Sequence, residues 1–265
     1  MTSGTNGPPV AQDLLTLVGQ LADAAGEVIR PLFRQPLDVI EKADHSPVTE
    51  ADRGAERAIR ALLADARPHD GIIGEEYGRE QEGASHVWVI DPIDGTRAFI
   101  TGRPLFGTLI ALLQDGVPIL GIIDQPIIGD RWIGATGHPT ILNGKPVTTR
   151  ACATLAQATG STTSPELFVG EDEAAYRRVA QGCAMMSYGG DCYGYGLLAA
   201  GFVDVIFETT MQIYDFAALV PVVNGAGGVI TDWQGRPLAD GGDGRVLAAA
   251  TPALHAETVR TLAAA

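Results

Sequence analysis

The hydrophobic residues of this chain recur with two periods, one typical of helices and one typical of strands. Apolar side chains at helical spacing predict an amphipathic helix from Val10 to about Phe33, and a second helix is predicted from Thr49 to about Ala64. Short apolar runs that stop at Gly, Pro or Asp predict buried strands at Gly71–Gly74 and Val87–Ile90. Leu37–Ile40 is a further candidate strand.

The rest of the chain divides into a part rich in strands and a part in which helices and strands alternate. Gly and Pro separate three apolar runs, a pattern that predicts antiparallel hairpins at Leu105–Leu113, Val117–Asp124 and Arg131–Ala135. Asn143-Gly144 predicts a tight turn. Further on, the pattern predicts helices at Ala174–Gln181, Tyr193–Ala200, Tyr214–Val223 and Pro252–Ala264, and strands at Val203–Phe207, Gly228–Thr231 and Val246–Ala249. Periodicity alone therefore predicts an α/β or α+β fold.

Composition narrows the class of protein. With 265 residues, of which 46% are hydrophobic, the chain can bury a large core as one broad domain or as two tightly joined halves. Residues 1–9 are small and polar and are expected to be loose, without the basic and apolar regions of a signal peptide. No uncharged apolar run reaches the roughly eighteen residues that a membrane span needs. We therefore expect a cytoplasmic protein that does not contact membranes.

Charge and the residue types that bind metals exclude further classes. The net charge of −14 argues against nucleic acid as a partner, because duplex binding depends on basic residues that neutralise phosphates. Cys152, Cys183 and Cys192 lack a Cys-x-x-Cys spacing and are expected to stay reduced. The five histidines lack the spacing of zinc ligands, and His45 is expected to be a solvated loop residue.

Acidic residues gather where the strand at Val87–Ile90 stops. The next residues, Asp91-Pro92-Ile93-Asp94-Gly95-Thr96, include a Pro and a Gly that are expected to end the strand, so that Asp91 and Asp94 lie in the loop beyond its carboxyl end. Ligands of layered α/β proteins bind at such strand ends. Two carboxylates held this close repel each other, which a multivalent cation relieves, and ligands that are all oxygen favour Mg²⁺.

Four further acids could join this pair, and each also has an ordinary structural interpretation. Glu75 and Glu76 follow a predicted strand, where acids are common. Asp215 lies in the first turn of a predicted helix, where an acid suits the helix dipole. Asp52 stands at capping-box spacing from Thr49, so its carboxylate could serve only the start of that helix.

Four short motifs occur in a fixed order along the chain: Pro47-Val48-Thr49-Glu50-Ala51-Asp52, Gly74-Glu75-Glu76, Asp91–Thr96 and Tyr214-Asp215-Phe216-Ala217-Ala218. In order and spacing they resemble the inositol monophosphatase-like, Mg²⁺-dependent phosphatases, over most of the chain. That family most often has Trp at the place of Tyr214, a difference that concerns only packing or a wall of the substrate site. Within the family, Thr96–Ile110 and Tyr188–Tyr195 are most similar to the histidinol-phosphate phosphatase branch, because inositol phosphatases typically lack an Asp at the place of Asp191.

The resemblance implies a layered αβαβα sandwich with the active site between an N-terminal half, 1–140, and a C-terminal half, 141–265. It also implies a homodimer. The ions it implies are two Mg²⁺, one held by Glu75, Asp91 and the backbone carbonyl of Ile93 and one by Asp91, Asp94 and Asp215, with a weaker third near Glu75 and Glu76.

The resemblance further implies roles in catalysis, with Glu75 counted among the catalytic residues. Thr96, paired with Asp52, would orient the attacking water and help to deprotonate it. The amides of Gly95 and Thr96 would receive the phosphate at the start of the next helix. The expected substrate is therefore a small phosphate monoester.

In this family the alcohol part of the substrate is contacted mainly by the second half. The corresponding residues here are Gly189, Gly190, Asp191 and Glu208, with Asp94 and Asp215. The amine and the imidazole of histidinol phosphate could both donate hydrogen bonds to Asp191 or Glu208. Asp191 could instead cap the helix predicted at Tyr193. Arg97 could neutralise phosphate, or it could pair with Asp94 or a surface acid.

These residues predict Mg²⁺-dependent hydrolysis of histidinol phosphate to histidinol and phosphate, a reaction of histidine synthesis. One alternative is a broader phosphatase of inositol phosphates or sugar phosphates. Another is a non-catalytic, metal-binding relative that has kept the fold, although no metal carboxylate of the family pattern is missing here.

Overall fold

The structure is a computed structural model that describes residues 7–36, 40–41 and 47–264. Its helices, in chain order, are α1 (Gln12–Leu32), α2 (Glu50–Ala66), α3 (Thr96–Ile100), α4 (Glu171–Gly182), α5 (Asp191–Ala199), α6 (Ile213–Phe216), α7 (Leu219–Gly225) and α8 (Pro252–Leu262). Its strands are β1 (Ile40–Glu41), β2 (Pro47–Val48), β3 (Gly71–Gly74), β4 (Gly78–Glu80), β5 (His86–Asp94), β6 (Gly107–Gln114), β7 (Val117–Gln125), β8 (Asp130–Ala135), β9 (His138–Leu142), β10 (Lys145–Pro146), β11 (Thr159–Thr162), β12 (Met185–Tyr188), β13 (Val205–Glu208), β14 (Val229–Thr231) and β15 (Val246–Ala249).

The larger sheet is mixed and contains eight strands in the order β10-β9-β8-β7-β6-β5-β3-β4. β5 runs parallel to β3 and antiparallel to β6, and β6 to β10 follow one another as antiparallel hairpins. Between β9 and β10, Asn143 and Gly144 have φ values of 49° and 78°, the left-handed backbone of a two-residue hairpin turn. The predicted hairpins and the predicted turn are confirmed.

The smaller sheets complete the strand pairing. Five strands pair in the order β12-β11-β13-β15-β14, with β11 parallel to both of its neighbours and β15 antiparallel to both of its own. β1 and β2 form a separate antiparallel pair.

Alternate residues of the strands face different hydrophobic cores, and this alternation sets the layers. Along β15, Val246 and Ala248 face the central core, whereas Leu247 and Ala249 face the outer core of the five-stranded sheet. α1 and α2 cover one face of the eight-stranded sheet, α5 and α7 lie between the two large sheets, and α4 and α8 cover the far face of the five-stranded sheet. The predicted αβαβα sandwich is therefore confirmed, while its division at residue 140 stays a prediction.

α7 packs directly against the eight-stranded sheet because two glycines leave room for its backbone. A Cβ atom on Gly121 of β7 would overlap the carbonyl oxygen of Ala218, and one on Gly134 of β8 would overlap the carbonyl oxygen of Pro221. Main-chain atoms can approach this closely only where one partner has no side chain. This contact places the chain segment around Asp215, which immediately precedes α7, relative to the sheet.

The helix predicted over Tyr214–Val223 is in fact two helices, α6 and α7, separated at Ala217 and Ala218. Pro221 explains the break, because it has no N–H and its ring would clash with the Ala217 carbonyl in a continuous helix. In α7 the same Pro lies in the first turn, where N–H groups have no partner within the helix.

Some predictions fall partly or wholly outside the described residues. Of the candidate strand Leu37–Ile40, only Ile40 is described, in β1. His45 lies outside the described ranges. Of the first nine residues, which are expected to be loose, residues 1–6 also lie outside them. The three cysteines are free thiols. None of the helices in the described ranges has both the length and the apolar composition that crossing a membrane would take.

Candidate active site

Asp91 and Asp94 lie within β5 rather than in a loop beyond it. The strand runs through to Asp94, so the prediction that Pro92 ends it is wrong. The register with β6 shifts between Asp91 and Asp94, and this bulge holds Pro92 where no N–H is needed for strand pairing. The hydroxyl of Thr108 donates a hydrogen bond of 2.8 Å to the Pro92 carbonyl. The two acids are therefore presented from a paired strand.

Asp91, Asp94 and Asp215 form a group of three carboxylates at this bulge, called here the carboxylate group. One oxygen atom of each lies within 4.8 Å of the others. Burial, together with repulsion from Glu75, raises the pKa of Asp91 well above its ordinary value. Burial, with repulsion from Asp191 and Asp215, does the same for the pKa of Asp94. A partly buried set of donors that are all oxygen and repel one another fits a hard divalent cation such as Mg²⁺.

Two members of the carboxylate group also accept hydrogen bonds from backbone amides at helix starts. Oδ2 of Asp215 accepts the amide of Gln212 at 2.6 Å, so the role at the start of α6 is confirmed. Oδ2 of Asp94 accepts the amide of Cys192 at 2.6 Å, in the first turn of α5. Because a carboxylate has two oxygen atoms with several lone pairs, helix capping does not exclude metal binding.

Glu75 and Glu76 occupy the turn between β3 and β4, beside the carboxylate group. The amide of Glu75 donates to the Ile90 carbonyl at 3.1 Å, and its side chain hydrogen-bonds with Asp91. The amide of Glu76 donates to Oε2 of Glu56 at 2.8 Å. The structure thus brings Glu75 to Asp91, whereas a third ion near Glu75 and Glu76 stays a prediction.

The Thr96 hydroxyl lies between two acceptors, Oδ1 of Asp52 at 3.3 Å and the carbonyl oxygen of Ile93 at 3.2 Å. Oδ2 of Asp52 accepts hydrogen bonds from the amide of Thr49 at 2.8 Å and from its hydroxyl at 2.6 Å, which confirms the predicted capping box of α2. Burial nevertheless raises the pKa of Asp52. One oxygen of Asp52 therefore caps the helix while the other faces Thr96.

Gly95 precedes α3 and has a φ of 86°, in the left-handed region that favours Gly. A Cβ atom at this position would lie 3.0 Å from Cγ of Asp191. The first amides of a helix have no carbonyl partner within it, and both Gly95 and Thr96 line the cavity next to the carboxylate group. Backbone donors are therefore available where the phosphate site is predicted.

The cavity next to the carboxylate group has a volume of about 300 Å³. Its lining includes four acids from both halves of the chain, Asp94, Asp191, Glu208 and Asp215. The apolar part of its lining consists of Leu167, Tyr195, Met211 and Leu219. Of the residues predicted to contact substrate, Gly189 and Gly190 do not line the cavity. The apolar lining residues carry no functional signal in the sequence, because there they look like ordinary core positions.

Glu208, at the end of β13, is held in one position by its hydrogen bonds. Only 5% of the residue is exposed, and its carboxylate accepts the Thr163 amide at 2.7 Å and the Thr162 hydroxyl at 3.1 Å. Burial outweighs these bonds and raises the pKa of Glu208 to about 7. A cationic group of a substrate would therefore stabilise the charged form of Glu208.

Replacing Glu208 with Gln is expected to stabilise the ligand-free protein increasingly as the pH rises. The pKa of Glu208 is about 7 in the folded protein, against an ordinary value of 4.5 in the unfolded chain. At a pH between these two pKa values, unfolding releases a proton from Glu208. The contribution of Glu208 to the free energy of unfolding of the wild-type protein therefore falls as the pH rises from about 4.5 to about 7. The measured quantity is the melting temperature of E208Q minus that of wild type, both without Mg²⁺. We expect this difference to increase from about pH 5 to about pH 8. A difference that does not change with pH would contradict the raised pKa.

Asp191 is the first residue of α5 and does not cap it. The N-cap position is Gly190, and Asp191 itself has a φ of 42°, a left-handed conformation that Asp tolerates better than most residues. The alternative in which Asp191 serves only to cap a helix at Tyr193 is therefore wrong. The carboxylate that accepts an amide of α5 is Asp94, from β5.

Two arginines lie near Asp191, and only Arg97 was among the predicted site residues. Burial raises the pKa of Asp191 to about 6, while the charges of Arg103 and Arg97 lower it. Arg97 is exposed and lines the cavity. Arg103 lies close to Gly189, with Nη1 3.5 Å from the place where a Cβ atom would stand. The only sequence signal for Arg103 was its place in the Thr96–Ile110 segment.

Known proteins are similar to this chain in sequence and in fold. The sequence profile of the inositol monophosphatase family matches residues 11–265. The chain is 55% identical over 227 residues to the chloroplastic bifunctional phosphatase IMPL2 of Arabidopsis thaliana, covering 84% of this chain and 66% of that protein. It is 39% identical over 238 residues to a histidinol-phosphatase of Chlorobaculum parvum, covering 88% of this chain and 91% of that protein. A solved inositol monophosphatase from Zymomonas mobilis superposes with a TM-score of 0.88 at 50% identity, covering 95% of this chain and 98% of that chain.

Proposed function

Since the chain belongs to the inositol monophosphatase family and is a phosphatase of that kind, we propose that it hydrolyses histidinol phosphate with the help of Mg²⁺. The observation that carries the proposal is one cavity that joins Asp94 and Asp215 of the carboxylate group to two further acids, Asp191 and Glu208. In histidinol phosphate, the phosphate ester suits a metal held by Asp94 and Asp215. Its amine and its imidazole suit the acids Asp191 and Glu208. The similarity to the histidinol-phosphatase of Chlorobaculum parvum supports this substrate.

The ligand set that we propose consists of oxygen atoms, as Mg²⁺ prefers. When bound, the metal supplies positive charge to the phosphoryl oxygens and lowers the pKa of a water molecule. We propose one ion held by Glu75, Asp91 and the Ile93 carbonyl, and a second held by Asp91, Asp94 and Asp215.

The remaining steps use groups of the protein itself. We propose that the Thr96 hydroxyl, which donates to Oδ1 of Asp52, accepts a hydrogen bond from the attacking water and so orients it. As the water attacks, the ester P–O bond breaks, and the oxygen of the alcohol leaves with the bonding electron pair and takes up a proton from solvent. The proton that the water releases is held at Asp52, whose pKa burial has already raised. The amides of Gly95 and Thr96 bind phosphoryl oxygens, and Asp191 and Glu208 bind the cationic end of the alcohol.

Replacing Thr96 with Ala is expected to lower kcat by about tenfold, because the group that orients the water is lost while Asp52 remains. Inhibition by inorganic phosphate should change little, since the Thr96 amide is retained. Thr96→Ser keeps the hydroxyl and should stay within about twofold of wild type. Steady-state phosphate release measures both variants. Equal losses in the Ala and Ser variants would show that packing of the methyl group, and not the hydroxyl, is what matters.

The proposed function is tested by comparing kcat/KM for histidinol phosphate, inositol 1-phosphate and fructose 1,6-bisphosphate at saturating Mg²⁺. We expect histidinol phosphate to be preferred by at least about tenfold, the usual effect of one favourable charged contact. A preference for inositol 1-phosphate would overturn the substrate while leaving the phosphatase chemistry in place. Binding of Mg²⁺ without release of phosphate from any ester would favour a non-catalytic relative.

A second candidate function, hydrolysis of inositol 1-phosphate, has one specific observation in its favour. The solved structure that superposes at 50% identity is an inositol monophosphatase. The hydroxyl groups of inositol could also donate hydrogen bonds to Asp191 and Glu208. However, inositol carries no cation that would stabilise the charged form of Glu208. For this reason we propose histidinol phosphate as the substrate.

A further inference from the structure

We propose that Glu56 is a positioning residue for the metal site: from helix α2 it holds the turn that carries Glu75, and it thereby sets the affinity of the site for Mg²⁺. Glu56 lies outside the four sequence motifs and lines no part of the cavity. The inference rests on the proposed function, in which Glu75 and Asp91 are metal ligands.

Glu56 is a fully buried carboxylate whose partners belong to the turn between β3 and β4. The residue is 0% exposed. Its Oε2 accepts the amide of Glu76 at 2.8 Å, and its Oε1 accepts the amide of Tyr77 at 3.3 Å. Nε of Arg60 donates to Oε1 at 2.7 Å. The two amides that follow Glu75 in the chain are thus bound to one carboxylate, which an arginine holds in place.

Gly74 leaves room for this carboxylate. A Cβ atom on Gly74 would overlap Oε1 of Glu56, so the carboxylate can occupy its observed position only because residue 74 is Gly. Arg60 also donates to the Gly78 carbonyl at 2.6 Å and to Glu80 at 2.9 Å. Glu56 and Arg60 therefore bind the end of β3, the turn and β4 together.

The turn is also held by β5, the strand that presents Asp91 and Asp94. The amide of Glu75 donates to the Ile90 carbonyl of β5 at 3.1 Å. Glu75 is consequently fixed between β5 on one side and the Glu56 contacts on the other. If the Glu56 contacts are lost, the turn can move away from Asp91 while β5 stays in place.

One face of α2 serves two parts of the site. Asp52 and Glu56 are four residues apart and so lie on the same face of the helix. Asp52 meets the Thr96 hydroxyl, and Glu56 meets the turn that carries Glu75 one helical turn further along. A single rigid helix therefore positions both the group that is proposed to orient water and a proposed metal ligand.

The test is the affinity for Mg²⁺ alone, measured by isothermal titration calorimetry on wild type, Glu56→Gln and the control variant Asp65→Asn. In Glu56→Gln an amide NH₂ replaces one oxygen and would face a backbone N–H or Arg60, so one of the contacts fails. Groups that orient metal ligands typically change metal affinity by tenfold or more, and we expect a Kd about tenfold higher in this variant. Asp65→Asn likewise replaces a carboxylate with an amide on the same helix, at an exposed residue, and it should bind Mg²⁺ as wild type does.

A second readout separates positioning from a purely structural role. The Mg²⁺ concentration that gives half-maximal activity should rise by the same factor as the Kd, whereas kcat at saturating Mg²⁺ should stay within about twofold of wild type. A lower melting temperature with an unchanged Kd for Mg²⁺ would overturn the inference, because the residue would then only anchor the hairpin.

The outcomes also distinguish this inference from the proposed function. Wild-type protein that binds no Mg²⁺ and releases no phosphate would overturn both. Wild-type protein that does both, with Glu56→Gln unchanged in Kd, would overturn the inference alone. Should Glu56→Gln fail to fold, Arg60→Gln keeps the carboxylate but removes its anchor, and a Kd for Mg²⁺ equal to that of wild type would then overturn the inference.

Discussion

Replacing Asp91 with Asn is expected to reduce phosphate release by at least about a hundredfold while the protein stays folded. Asp91 hydrogen-bonds with Glu75 and belongs to the carboxylate group with Asp94 and Asp215. It is therefore the residue that both proposed ions would share. Asn has nearly the same volume and keeps an oxygen for the Ile93 amide, which now donates to Oδ1 of Asp91 at 3.0 Å. The substitution thus removes mainly charge.

Thermal melting gives this prediction a readout that does not depend on turnover. Without Mg²⁺, D91N should melt at a higher temperature than wild type, because a buried acid that neighbouring acids repel has been neutralised. With Mg²⁺ added, wild type should gain more in melting temperature than D91N, since ligand binding stabilises in proportion to affinity. Steady-state phosphate release at saturating Mg²⁺ measures the loss of activity.

Asp124→Asn is a matched control for the loss of a buried carboxylate. Asp124 is also buried in the eight-stranded sheet, but it pairs with Arg131 at 2.6 Å and does not line the cavity. The phosphatase activity of the Asp124→Asn variant should be close to that of wild type. Wild-type turnover in folded D91N at saturating Mg²⁺ would contradict the proposal of two ions.

Replacing Asp191 with Asn is expected to lower kcat/KM for histidinol phosphate by about ten- to a hundredfold, the effect of losing a hydrogen bond to a charged group. Asp191 lines the cavity and does not cap α5, so its carboxylate is available to a substrate. Inositol 1-phosphate has no cation and should lose much less. The measured quantity is the ratio of kcat/KM for the two substrates.

Both substrates are assayed on one enzyme preparation, so that errors in active fraction and in metal content cancel in the ratio. Thermal melting checks that Asn tolerates the left-handed backbone at this position, as Asn generally does. A ratio equal to that of wild type would remove Asp191 from substrate recognition. The metal chemistry would be unaffected by that result.

Much of the carboxylate group could be predicted because its acids are concentrated in short segments of sequence. Asp91 and Asp94 are three residues apart at the end of one strand, and this oxygen-rich pattern indicates a cation without knowledge of the fold. The capping box of α2 was equally local, since Thr49 and Asp52 lie within one helical turn. The layers followed from the family resemblance, because the apolar periods alone predict only an α/β or α+β fold.

The parts that could not be predicted depend on contacts between distant segments. β5 continues past Pro92 because β6 accommodates the bulge, which the sequence of β5 alone does not show. Glu56 has the spacing of an ordinary helix acid, and only its contact with the turn after Gly74 explains its burial. The sequence allows Asp191 to be a helix cap. In the structure, however, the amide of Cys192 in α5 donates to Asp94, which lies in β5, and the sequence of α5 alone does not show this contact.

The contact of α7 with the eight-stranded sheet limits how an enzyme of this kind can evolve. Gly121 and Gly134 let main-chain atoms set the place of the segment that carries Asp215, and this contact does not depend on the side chains that line the cavity. The cavity residue Leu167 lies on another segment, so it can change without disturbing that placement. A larger side chain at either glycine would instead impair the hydrolysis of every substrate at once. Divergence is therefore expected to alter which ester is cleaved long before it alters whether an ester is cleaved.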